Sequence, residues 1–253
     1  MAIVEREDSG VHQEAVRLNK YLALAGVGSR RKNDELILSG VVKVNGKIVQ
    51  ELGTKVHPDR DRVTVNGQPV EVERKLYYIL FNKPKDCITT LSDEKGRTTV
   101  LDYVKISKRI YPIGRLDRNT TGVLLLTNDG ELANALMHPR GEIERVYRVR
   151  LDRAILDEHF GTLRRGVRLE DGVARPQEVA LLPGTRRKEL LISLAEGRNR
   201  EVRRTFETLG YDVKGLERVS FAGFTTEGVA RGRWRFLSHT EVHHLRQAAG
   251  LTP

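Results

Sequence analysis

The phrase Val-x-Val-Asn-Gly occurs twice, at residues 42–46 and 63–67, with a constant offset of 21 positions. Asn-Gly suits the two positive-φ positions of a type I′ turn, so each copy predicts a β-hairpin entered by alternating valines. Two copies make a small sheet and are too few for a solenoid. Just ahead of them the period is helical. Leu18, Tyr21, Leu22 and Ala25 share one face of a short helix that ends at Gly26. Leu36, Ile37 and Leu38 mark a second, capped by Ser29 and stopped at Gly40. A small αα-β head is therefore expected over residues 16–70. It follows a polar tail at 1–15 that is expected to be mobile and precedes a charged, unpatterned linker at 71–76.

The rest of the chain, 77–253, reads as a second domain. Leu76–Phe81 has the look of a buried strand broken by Lys83-Pro84. Further strands are expected at 122–127, 146–151, 179–182 and 189–194, and helices at 130–137, 199–209 and 241–248. Strands and helices alternate without the regular βα rhythm of a parallel doubly wound sheet. The expected class is α+β, with a mixed or mainly antiparallel sheet flanked by helices.

Charge narrows the partner. The chain has 44 Lys and Arg against 34 Asp and Glu, a net charge of +10. Ten basic residues and five acidic ones lie between 17 and 70, so half of that excess falls in about a fifth of the chain. Arg30, Arg31 and Lys32 occupy the first turn of the second helix, where positive charge opposes the helix dipole. A phosphate docked there would offset that cost. A single cysteine, Cys87, allows no internal disulfide, and the acidic opening segment lacks the apolar stretch of a secretory signal. The longest aliphatic run, Val123–Leu126, is far too short to span a bilayer. A cytoplasmic protein with an anionic partner is the expectation.

The order R-L-x-K-x-L, A-G, G-S-R-R, a helix closed by Gly, then V-x-V-N-G resembles the S4-type RNA-binding domain over residues 17–68. By that resemblance Arg17, Lys20, Arg30, Arg31, Lys32 and Lys43 form a basic face for structured RNA.

The most informative segment is YPIGRLDRNTTGVLLLTNDGELANALMHP, residues 111–139. Asp117 lies between Arg115 and Arg118, and cations so placed favour the ionised carboxylate that a nucleophile or base must be. The segment resembles the signature of bacterial ribosomal RNA pseudouridine synthases of the RsuA/RluB type: G-R-L-D, Thr, Gly, a Leu-rich strand, T-N-D-G and H-P. The likeness extends to FNKPKDCITTLSDEKGRTTVLDYV, ERVYRV and EGRNREVRRTFETLGYDVKGLERV, so that with the head it covers roughly residues 17–245.

What the resemblance implies is an isomerase that flips a uridine out of ribosomal RNA and exchanges its N-glycosidic bond for a C5–C1′ bond. Asp117 would be the essential carboxylate, as nucleophile at C1′ or base at C2′. Tyr147 would stack on the flipped base and handle a proton, and Arg203 would pair with Asp117 to hold it oriented and ionised. Arg115 and Arg198 are expected phosphate contacts. Asp86 replaces a Gly in the K-P-K-D-C loop, which puts the positive-φ turn there in doubt. Arg145 stands where Lys is usual. Arg at 203 and the EGRNREVRR wording lean towards the large-subunit branch, with the small-subunit RNA as the alternative.

No metal or cofactor is implied. His239 and His243 lack the HExxH order, Gly26-Val27-Gly28 lacks the third glycine of a dinucleotide loop, and an isomerisation needs neither group. Arg231, Arg233, Trp234 and Arg235 suggest either RNA stacking or an anchor for the last helix. A non-catalytic ribosome-assembly protein would have no need of Asp117, Tyr147 and Arg203 together. A monomer that binds ribosomal RNA, and no membrane, is the expected assembly. Removing residues 1–72 should weaken RNA binding and flatten its log–log salt dependence by about 0.7–0.9 for each phosphate that is no longer neutralised. An unchanged slope in filter-binding titrations would take the head out of the interface.

Overall fold

The computed structural model describes residues 3–5 and 14–252, which divide into two compact units, 3–76 with 107–109, and 77–106 with 110–252. Of the tail expected to be mobile, residues 1–2 and 6–13 lie outside the described residues. Ile3–Glu5 form a short strand, not the coil expected.

In the first unit, helices Leu18–Leu24 and Arg30–Leu38 pack on valines of the two hairpins, with Leu18, Leu22, Ile37, Val42 and Val63 buried together. The Ser29 side chain accepts from the Lys32 amide at 3.2 Å, closing the second helix at its start. The hairpins Val42–Val44/Lys47–Ile48 and Val63–Val65/Gln68–Pro69 join through their first strands into one four-stranded sheet. Asn45 and Gly46 have φ of 51° and 81°, and Asn66 and Gly67 have 50° and 78°, the left-handed pair that a type I′ turn demands. A short pair, Val16–Arg17 with Lys55–Val56, ties the first residues of the head to its interior.

The second unit is built on one sheet. Its strand order is Lys75–Lys83, Thr121–Thr127, Val213–Phe221, Arg145–Leu151, Glu189–Leu194, Glu178–Leu181. The pairing of Thr121–Thr127 with Val213–Phe221 is parallel and the others along this path are antiparallel, which makes the sheet mixed and mainly antiparallel. Helix Glu201–Thr208 lays Val202 and Phe206 on this sheet against Leu190, Ile192 and Leu194. Helix Gly130–Met137 is capped by Asp129, whose side chain accepts from the Glu131 and Leu132 amides at 3.1 Å each. Tyr78 donates to the same carboxylate at 2.8 Å, so the T-N-D-G motif is explained by architecture.

Several expectations need correction. Lys83 does not break the first long strand but is its last residue, fully buried. That strand begins at Lys75, so only residues 71–74 of the expected linker lack regular structure. Asp86 keeps the positive-φ turn, at φ 55°, where a Gly was expected to be needed. The helix expected over 199–209 spans Glu201–Thr208, because Arg200 is left-handed at φ 49°. Strand Val213–Phe221 and helix Asp157–Arg165 were not anticipated at all.

Gly122 marks the tightest approach in the sheet. Its φ is +102°, and a Cβ there would lie 2.1 Å from the Arg218 carbonyl oxygen across the parallel pair. Gly122→Ala is expected to destabilise the protein by about 3 kcal/mol in urea unfolding. A change below about 1 kcal/mol would show that this pairing yields to a methyl group.

Candidate active site

The loop carrying Asp117 is fixed through its backbone. The Lys83 ammonium donates to the carbonyls of Asp117, Arg118 and Thr120 at 3.1, 3.1 and 2.9 Å, and to that of Pro84 at 3.1 Å. Thr89 donates its hydroxyl to Leu116 O at 2.8 Å and accepts from the Leu116 amide at 3.3 Å. With the main chain held, the Asp117 carboxylate projects half-buried into a cleft of about 590 Å³. That volume suits a nucleoside-sized guest.

Two guanidiniums face the carboxylate. Arg203 Nε lies 3.8 Å and an Arg200 terminal nitrogen 3.9 Å from Asp117 Oδ2. Both are ion-pair distances beyond hydrogen-bond range, so the charge is compensated while the oxygens stay available to a substrate. Arg203 is steadied by donating to Val213 O at 3.0 Å, and burial pushes its guanidinium pKa down against the opposing pull of Asp117.

Tyr147 enters the same cleft from strand Arg145–Leu151. A register shift between Val146 and Tyr147, in the pairing with Val213–Phe221, re-aims the side chain at this point. Arg145 is buried and serves as a fork: it donates to Ile143 O, to Ala195 O at 3.0 Å and to Leu136 O at 3.3 Å, and its guanidinium lies 5.3 Å from the Phe221 ring centre. A lysine could not reach this many carbonyls in one plane.

The expected phosphate contacts divide. Arg115 is exposed at the cleft. Arg198 is instead held by carboxylates, at 2.6 Å from Glu196, 3.2 Å from Glu201 and 3.3 Å from Asp171, and it also donates to Val173 O at 2.9 Å. It braces the start of the helix that carries Arg203, and so is not presented as a free cation. Burial pushes Glu201, in that same network, up to about 7. In the head, Arg17, Lys20, Arg30, Arg31, Lys32 and Lys43 are all exposed. Arg235 grips Glu241 of the C-terminal helix at 2.8 and 2.7 Å and so anchors that helix, whereas Trp234 donates to Tyr103 O at 3.1 Å, at the end of helix Val100–Tyr103.

Sequence reasoning missed Lys83, Arg200 and Arg218. Lys83 followed an apolar run and preceded a proline, which reads as a strand end. Arg200 was one cation among several in EGRNREVRR, with no spacing to single it out. Arg218 lay on a strand whose pattern was broken by charge.

The family model described as RNA pseudouridylate synthase matches residues 77–208, and that of the S4 domain matches 16–61. The Bacillus subtilis protein named ribosomal large subunit pseudouridine synthase B is 47% identical, over 92% of this chain and 96% of its own. The Vibrio cholerae protein of the same name is 41% identical, over 94% and 76%. A crystal structure titled pseudouridylate synthase superposes with a TM-score of 0.67 at 26% identity, covering 91% of this chain and 99% of that one.

Burial pushes Lys83 down to about 8 from 10.5. The unfolded chain therefore binds the extra proton between those values, and stability from this group rises with pH across that window. The unfolding free energy of the wild type relative to Lys83→Met should grow from about pH 8 towards 10.5. A difference that stays flat, or shrinks, would contradict a desolvated ammonium.

Proposed function

Because the chain belongs to the RNA pseudouridylate synthase family, we propose that it converts a specific uridine of large-subunit ribosomal RNA to pseudouridine, with Asp117 as the essential carboxylate. The observation that carries this reading is the meeting of Asp117 and Tyr147 in one cleft, with Arg203 3.8 Å from the Asp117 carboxylate, from three distant parts of the chain. The subunit follows from the names of the relatives from Bacillus and Vibrio, which are 47% and 41% identical.

The chemistry follows from what each group can do. The uridine leaves the RNA stack and enters the cleft, where the Tyr147 ring supplies a stacking face and its hydroxyl a proton-handling group. Asp117 acts on the ribose, at C1′ as nucleophile or at C2′ as base, with Arg200 and Arg203 compensating its charge. The freed uracil turns within the cleft, C5 bonds to C1′, and the C5 proton leaves. No atom is gained or lost overall apart from proton exchange, so the reaction calls for no redox or group-carrying cofactor. The head's exposed cations would grip the RNA backbone and orient the target, adding affinity without chemistry. The working form is a monomer in the compartment where ribosomes are assembled.

Asp117→Asn should reduce tritium release from 5-tritiated uridine in ribosomal RNA to background while leaving RNA affinity nearly intact. Full activity in that variant would sink the mechanism, and mapping pseudouridines in cells with and without the protein identifies the target.

A further inference from the structure

Arg218 lines the cleft beside Tyr147, and the steps above give it no task. The residue is 2% exposed, yet among the described residues no carboxylate is set against it. Its Nε donates to Val123 O at 2.9 Å, and its guanidinium lies 4.5 Å from the centre of the Phe221 ring. The Tyr147 hydroxyl favours its charge. One terminal nitrogen, Nη2, is buried without any partner. A second cation, Arg145, lies 5.3 Å from the same ring, which adds like charge to the neighbourhood.

A buried cation in such company is held at a cost to stability, because a carbonyl, the Tyr147 hydroxyl and an aromatic face replace only part of its lost hydration. The other arginines around the reacting centre are either exposed, as Arg115 is, or have an evident partner. Arg200 and Arg203 face Asp117, Arg198 is ringed by carboxylates, and Arg145 holds three carbonyls. Arg218 keeps an unbalanced buried charge and an unpartnered terminal nitrogen within the wall of the cleft. Charge arranged in advance in a water-poor cleft acts on whatever negative charge develops there.

Resting on the pseudouridylation proposed above, we infer that Arg218 is a further catalytic residue that stabilises the negative charge uracil carries between breakage of its old bond and formation of its new one. The C1′–N1 bond breaks with its electron pair passing to N1, from which it spreads to the uracil O2 and O4. The ribose is balanced by a bond from an Asp117 oxygen to C1′, or by loss of the C2′ proton to that oxygen. Arg218 faces the uracil anion and neutralises it while it turns. C5 then supplies the pair for the C5–C1′ bond as the Asp117 step reverses. The C5 proton leaves to solvent and N1 takes up a proton, which completes the isomerisation with no other reactant.

The test uses Arg218→Gln in the full chain, on ribosomal RNA transcripts made with uridine or with 5-fluorouridine. Fluorine withdraws electrons and makes uracil a better anion, so it reduces the need for a stabilising cation. Single-turnover formation of the C5–C1′ nucleoside, which with 5-fluorouridine keeps its fluorine at C5 because no C5 proton is there to leave, is read by mass spectrometry after digestion and should fall about 10²-fold with uridine and less than about tenfold with 5-fluorouridine. The amide can still donate to Val123 O, and relief of the buried charge should leave the melting temperature at or above that of the wild type. Equal losses on the two RNAs, or no loss, would overturn the inference. A variant that melts well below the wild type or fails to fold would overturn it too, since the cation would then serve the sheet. A wild-type protein inactive on uridine would instead sink the proposed function itself.

Discussion

One buried ammonium ties the fold to the site. Lys83 closes the first long strand of the sheet and donates to four carbonyls, three of them in the loop of Asp117. A loop of this composition, with Gly114, Asn119 and two threonines, has no hydrophobic pattern of its own to hold it. Main-chain hydrogen bonds to a fixed charge replace that pattern and leave the Asp117 side chain free for chemistry. The arrangement carries its own penalty, since a dehydrated ammonium is poorly tolerated, and burial lowers its pKa to about 8. Charge-assisted bonds to carbonyl oxygens are what make it bearable.

The same logic recurs across the sheet. Arg145 and Arg218 enter from neighbouring strands, lie 5.3 and 4.5 Å from one phenylalanine ring, and are both buried. The net charge of +10 is therefore not wholly a surface property. Part of it forms the rigid backing of the cleft, part is neutralised in the network of Arg198 and Arg204 with Asp171, Glu196 and Glu201, and the exposed remainder in the head is available to phosphates. Counting charges gave the right partner class. It did not show which arginines reach solvent.

Much of the fold was legible wherever local chemistry and pattern agreed. The twin Asn-Gly turns, the Ser29 cap and helix Gly130–Met137 all stand where their residues place them, because each depends on neighbours in sequence. Strand Val213–Phe221 escaped because Gly215, Glu217 and Arg218 interrupt its alternation, although it is central and pairs on both sides. Its Arg218 is buried by tertiary structure that no window of sequence contains. Helix Asp157–Arg165 was hidden by a run of charges with Gly161 in the middle. In the candidate site, Asp117, Tyr147 and Arg203 could be singled out by motif, whereas Lys83 and Arg200 acquire meaning only through distance to Asp117 and its loop.

The parallel pairing of Thr121–Thr127 with Val213–Phe221 connects these points. Gly122 must lack a side chain because Arg218 O would meet a Cβ at 2.1 Å, and the adjacent Val123 O accepts from Arg218 Nε. The glycine that lets the two backbones close together thus also seats the buried guanidinium. Asp117 lies five residues before Gly122 on the same chain, and Tyr147 is the cross-strand partner of Arg218. A shift in that one crossing would displace the strand that follows the Asp117 loop, the tyrosine's neighbour and the buried cation together. The Thr-Thr-Gly that follows the aspartate is consequently part of the site's geometry as much as of its sequence signature, although no atom of Gly122 has chemistry to offer.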